Sequence, residues 1–157
     1  MYENFSGHGD QKFGHLTYSQ NGEDLLIVSL FSKWGIENPS YLDIGANHPI
    51  NCSNTALLYK RGSRGVNIDA NPDVMVEIEK YRPDDRNLNF GVAEEPGQLT
   101  LYRVDAKSGR NSFSKAFVEQ FLAEEWPGQE LMDEIKVEIH TLDEIIDEYC
   151  AENVLIF

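Results

Sequence analysis

Basic residues are scarce. Thirteen Lys and Arg stand against 27 Asp and Glu, leaving a formal net charge of −14 over 157 residues. A surface that grips phosphate backbones or anionic lipid needs clustered Lys and Arg, so no nucleic acid and no membrane partner is expected. Long apolar runs are missing too. The longest cluster, LLIVSLF at residues 25–31, falls far short of the roughly 18 residues a membrane span requires. The opening MYENFSGHGDQKFGH has neither a basic start nor an apolar stretch, so no signal peptide is expected there. Residues 1–18 are expected to form a flexible tail. Cysteine occurs twice, at Cys52 and Cys150, too rarely for a disulfide framework and without metal-ligand spacing. A reducing, cytoplasmic location fits that usage, and no metal site is expected.

What is present is globular: 41% hydrophobic and 25% charged residues, in a length suited to one domain over residues 19–157. NGEDLLIVSLFSKWG predicts a helix, with Asn21 as cap and Gly35 as stop. SYLDIG is a strand, and SNTALLYKRG a helix capped by Ser53 and ended by Gly62. RGVNIDA is a second strand. NPDVMVEIEKY opens a second crossover helix, with Asn71 as cap and Pro72 at the first helical position. NLNFGVA is a third strand. This alternation predicts an α/β fold, a three-layer αβα sandwich around a parallel sheet of order 3-2-1-4. Beyond strand three the rhythm changes. QLTLYRV and the alternating EIKVEIH predict an antiparallel addition. Between them lie the polar loop DAKSGRNS and a helical stripe of Phe113, Phe117, Val118, Phe121 and Leu122, read as core packing. Thr141 and Glu144 form a T-x-x-E capping box ahead of the last helix. NVLIF starts a fourth core strand.

The site is expected where YLDIGANHP leaves the first strand. In parallel sheets ligands bind at the carboxyl ends of the strands. Gly45 lets the backbone approach a ligand closely, while Asp43 can orient the loop. Asp69 ends the second strand, where a carboxylate can accept from both hydroxyls of a ribose. Asn47 and Ile50 stand where a dinucleotide fingerprint needs its second and third glycines, which disfavours pyrophosphate. S-adenosylmethionine, lacking phosphate and carrying a positive sulfonium, suits the acidic mouth better than a nicotinamide cofactor does.

SQNGED, YLDIGANHP, SNTALLYKRGSRGVNIDANP, NFGVA and TLDEIID, in that order over residues 19–157, resemble the FkbM-type family of S-adenosylmethionine-dependent methyltransferases. The resemblance implies a Rossmann-like methyltransferase fold and methyl transfer to a hydroxyl of a sugar-containing or related small-molecule acceptor. It assigns Asp43, Gly45 and Asn47 to the cofactor loop, Asp69 to the ribose, and Gly91 and Val92 to the adenine. Gln20, Glu23 and Asp24 match the family's N-terminal motif, expected to close over the cofactor. The family pattern continues past the fourth strand, whereas this sequence stops at Phe157, so a truncated sheet and a C-terminally incomplete domain are expected. That bears on catalysis more than on cofactor binding. A non-catalytic domain binding S-adenosylmethionine or S-adenosylhomocysteine, and an NAD-binding dehydrogenase domain, are the alternative readings. His48, in the cofactor loop and of near-neutral ordinary pKa, is the candidate general base, against the simpler role of ordering its own loop. A bare fourth strand invites pairing, so self-association through residues 153–157 is expected.

Overall fold

A computed structural model describes residues 14–150 and 155–157. The first thirteen residues of the expected tail, and Asn153 and Val154 of the expected association edge, lie outside the described residues. The apolar cluster at 25–31 winds into α1, Glu23–Lys33, with Gly22 in the left-handed region at its start and Trp34 at its end. Asn21 does not cap it through its side chain; the Glu23 carboxylate instead reaches back to the Asn21 amide at 2.9 Å. Strand β1 is Tyr41–Ile44, followed by α2, Ala56–Arg61, β2, Gly65–Ile68, and α3, Pro72–Tyr81. Helix α2 begins three residues after Ser53, with Thr55 and not Ser53 at the cap position, while Ser53 Oγ takes the Ala56 amide at 3.1 Å. At α3 the Asn71 side chain accepts from Asp73 N, with Pro72 at the first position.

The single third strand expected over residues 87–93 is two strands. β3, Arg86–Leu88, pairs in parallel with β2, while β4, Gly91–Val92, belongs to another sheet. The step has a physical cause. Phe90 is buried in the first sheet's core, and Asn89 Nδ2 donates to the Asp69 carbonyl at 2.8 Å. The chain is thereby bent off β2 after Leu88.

Next come β5, Gly97–Arg103, α4, Lys115–Glu125, β6, Asp133–His140, α5, Leu142–Tyr149, and β7, Leu155–Ile156. β5 and β6 pair antiparallel from Gly97↔Ile139 to Arg103↔Asp133, and β4 lies parallel to β6, making a second sheet β4-β6-β5. In the first sheet β7 joins β1 in parallel, giving β3-β2-β1-β7. Among the described residues this is a mixed α/β architecture of five helices and two sheets.

The expected stripe over Phe113–Leu122 is not a core face. Helix α4 starts after Phe113, capped by Ser114, and Val118 is its buried residue, with Phe117 exposed. Helix α5 keeps its capping box, the Thr141 side chain accepting from Glu144 N and the Glu144 carboxylate from Thr141 N.

Strand alternation splits the first sheet into two unlike faces. Leu42 and Ile44, with Val66 and Ile68, pack beside Phe90 and against Leu142, Ile145 and Ile146 of α5. The intervening Tyr41, Asp43 and Asn67 are buried as well, but they meet a polar network. Arg82, just past α3, donates to Asp85 (2.8 Å), to Thr55 Oγ1 (2.8 Å) and to the Tyr41 hydroxyl (2.6 Å). Thr55 Oγ1 in turn donates to Asp43 at 2.5 Å. Parallel strands covered on both faces normally read as unbroken apolar runs; here one face carries charged groups that are paired, with Asn67 Oδ1 left without a partner.

Candidate functional site

The turn after β1 is stitched to the end of β2. The amides of Gly45 and Ala46 both donate to the Ile68 carbonyl, at 2.9 and 3.1 Å. Gly45 has φ +72°, a left-handed angle that disfavours any side chain, and open space where a Cβ would point. Asn47 is left-handed too, at φ +53°, a region Asn tolerates better than most residues. That twist aims its amide at Asp69 Oδ2, 2.9 Å away, while Asp69 Oδ1 accepts from Asn71 N at 2.8 Å. Each oxygen of Asp69 therefore holds one backbone donor and retains acceptor capacity for another.

Above this floor lies a cavity of about 260 Å3. Gly45, Asn47 and Asp69 line it from the ends of β1 and β2, Val74 from α3, Leu101 from β5, and Ser108, Gly109, Asn111, Ser112 and Phe113 from the β5–α4 connection. The stretch DAKSGRNS thus covers the site. It is fastened there by Asn71 Nδ2 to the Ala106 carbonyl (2.8 Å) and by Lys107 to Glu77 (2.7 Å). A larger cavity, about 400 Å3, lies between the end of α1 and α2; its charged walls are Glu37 and Arg61, and none of the sequence-predicted site residues lines it.

Three of the predicted residues, Gly45, Asn47 and Asp69, share the cavity. The others lie elsewhere. Asp43 sits beneath the loop with its carboxylate turned to Thr55. Gly91 packs against Ile139 and Phe113, and Val92 against the apolar core. Gln20 and Glu23 are absent from the lining; Glu23 serves the start of α1. Asp24, fully buried, is the hub of that motif, accepting from Thr17 Oγ1 (2.6 Å), Tyr18 N (2.7 Å) and Ser19 Oγ (2.9 Å). Burial alone would raise its carboxyl, but these donors outweigh it and hold the group below the ordinary range. His48 follows Asn47 in the loop and is not part of the cavity lining. Its Nδ1 accepts from the amides of Ile50 (3.0 Å) and Asn51 (2.8 Å), which puts the ring proton of the neutral imidazole on Nε2, so this geometry serves to order the loop and not the general base expected from the sequence. Phe113 and Leu101 were missed in the sequence because no periodic signal distinguishes a cavity wall from core packing.

Electrostatics separate the two strand-end acids from the surface. Burial pushes the Asp43 carboxyl up, against the lowering bond from Thr55 and the Arg82 charge. Burial likewise raises Asp69, opposed by the Asn71 and Asn47 amides. A half-buried carboxylate with spare lone pairs, beside a bare glycine backbone and facing an apolar wall, fits a nucleoside: hydroxyls for the acid, a flat base for the wall. Among the described residues no group of three or more His, Cys, Asp or Glu is placed to hold a metal, and no helix is long and apolar enough to cross a membrane.

A family model described as "Methyltransferase FkbM domain" matches residues 43–157. No curated protein and no solved structure matches the chain.

Proposed function

The chain belongs to the FkbM methyltransferase family, and from that premise we propose that its cavity binds S-adenosylmethionine and that it methylates a hydroxyl of a sugar-containing or related small metabolite. A Rossmann-like, three-layer arrangement with sheet order 3-2-1-4 is part of this reading. The observation that carries it is Asp69: a carboxylate at the end of β2, raised by burial, with an unused acceptor site on each oxygen above a glycine turn.

S-adenosylmethionine supplies a methyl group on a positively charged sulfur. The chain's own part is alignment. Asp69 accepts from the ribose hydroxyls, the Gly45 backbone permits close approach, and the Asn47 amide keeps the carboxylate in place. Holding the reactants in line replaces most of the entropy a bimolecular encounter would lose. As the acceptor oxygen would form its bond to carbon and the sulfur–carbon bond break, the hydroxyl proton would be released to water. His48, whose Nδ1 accepts the loop amides and whose ring proton therefore sits on Nε2, holds the loop and does not take it.

Calorimetry tests the reading. S-adenosylhomocysteine is expected to bind and NAD is not. Asp69→Asn should weaken S-adenosylhomocysteine by roughly tenfold or more, the worth of a hydrogen bond to a charged group. Binding of NAD alone would overturn the proposal.

A further inference from the structure

The cavity's floor follows from Gly45, Asn47 and Asp69; its far wall poses a separate question. There Val74, Leu101 and Phe113 line it. Val74 and Leu101 are buried, while Phe113 is half-buried.

Phe113 is held with unusual care for a residue outside any helix or strand. Immediately before it, Ser112 and Tyr102 exchange backbone hydrogen bonds of 2.9 and 3.0 Å. Asn111 bridges the loop, its Oδ1 accepting from Val104 N (2.9 Å) and its Nδ2 donating to the Asp105 carbonyl (3.0 Å). Behind the ring stands Gly91. A methyl group there would lie 2.7 Å from Phe113 Cζ and 2.6 Å from Ile139 Cδ1, closer than real carbon contacts come. The seat of the ring is therefore cleared even of a Cβ.

The walls have complementary polarity. One side presents a carboxylate and backbone, the other an aromatic ring with aliphatic neighbours. All of them come from the β1 and β2 ends, α3, β5 and the β5–α4 connection. We propose that Phe113 is a binding residue for the heterocyclic base of the nucleoside, its ring packing against the base, and that Gly91 is a positioning residue that seats the ring. Gly91 then serves the base through Phe113 and does not touch it, and the connection carrying DAKSGRNS works on the cofactor side of the reaction. The inference rests on the reading of the cavity as a nucleoside site.

The test compares two ligands that differ only in the base: S-adenosylhomocysteine and S-ribosylhomocysteine. Phe113→Leu keeps an apolar side chain of similar bulk and should fold, which a melting curve checks. Its affinity for S-adenosylhomocysteine is expected to fall about tenfold, within the range that loss of a base–aromatic stack gives, with S-ribosylhomocysteine unchanged. Gly91→Ala should show the same selective loss. In Phe113→Trp, saturating S-adenosylhomocysteine is expected to quench fluorescence beyond the change in the parent protein. Equal affinities for S-adenosylhomocysteine in the parent and Phe113→Leu, or equal losses for both ligands, would overturn this inference while leaving the nucleoside reading standing. No binding of S-adenosylhomocysteine by the parent would remove that reading itself.

Discussion

Thr55 carries a single hydroxyl between two buried charges. It donates to Asp43 at 2.5 Å and accepts from Arg82 at 2.8 Å, so it links the acid under the glycine turn to the Arg82–Asp85–Tyr41 cluster. This explains why an acid is tolerated inside a buried strand. Arg82 and Asp85 neutralise one another at 2.8 Å, Tyr41 and Asn67 fill remaining acceptor positions of Asp85, and Thr55 extends the network to Asp43. Thr55→Val has nearly the same shape but neither donates nor accepts. It strands a buried carboxylate and one guanidinium nitrogen, which should destabilise the fold by about 2 kcal/mol or more. Urea unfolding is expected to show a lower midpoint at unchanged slope, and Thr55→Ser to restore most of the loss. An unchanged midpoint in the Val variant would mean that water replaces the hydroxyl.

At the level of elements, α5 offers the simplest test of a local signal. Its capping box satisfies amides at both Thr141 and Glu144, and its Ile145 is fully buried against Leu42 and Ile68. Thr141→Ala should cost about 1 kcal/mol, read as a lower melting temperature and faster amide exchange in the first turn of α5. That box was legible in the sequence, as were the Asn71–Pro72 start of α3 and the glycine turn, because each depends on residues within four positions of one another. The division of 87–93 into β3 and β4 was not. It depends on Phe90 entering a core built from Leu42, Val66 and Ile145, contacts that no local pattern encodes. The same reason hid the Arg82 network, which joins residues 41 positions apart. Phe113 looked like the first residue of a helical stripe; the Ser114 cap starts the helix after it and leaves the ring for the cavity. Of the site itself, Gly45, Asn47 and Asp69 were legible as one group, and the wall facing them was not.

For the whole molecule, charge sets the response to pH, and the two strand-end acids decide its sign near neutrality. Asp43 and Asp69 have carboxyls raised by burial. Each binds a proton more readily in the folded chain than in the unfolded one. The stability they contribute is complete below the unfolded value and is lost as pH rises through the folded value. At neutral pH both are a cost. Five other carboxyls act in the opposite sense: Glu23, held at about 2 chiefly by the Asn21 amide, and Asp24, Glu77, Asp133 and Glu144, all lowered. Their contribution is present above the ordinary carboxylate range and fades as pH falls through the lowered values. The two windows do not overlap, since one lies above the ordinary range and the other below it. A net charge of −14 and a sequence pI near 4.5 add self-repulsion that acidification also relieves. The melting temperature should therefore rise as pH falls from neutrality through the raised values of Asp43 and Asp69, then drop in stronger acid as the lowered carboxyls take up protons. Salt at neutral pH screens the surface repulsion but reaches the two buried acids far less, so it should recover only part of the gain. Melting curves across this range, at low and high ionic strength, separate the two contributions. A melting temperature that falls steadily from neutrality downward would show that the cost of ionising Asp43 and Asp69 does not govern the fold.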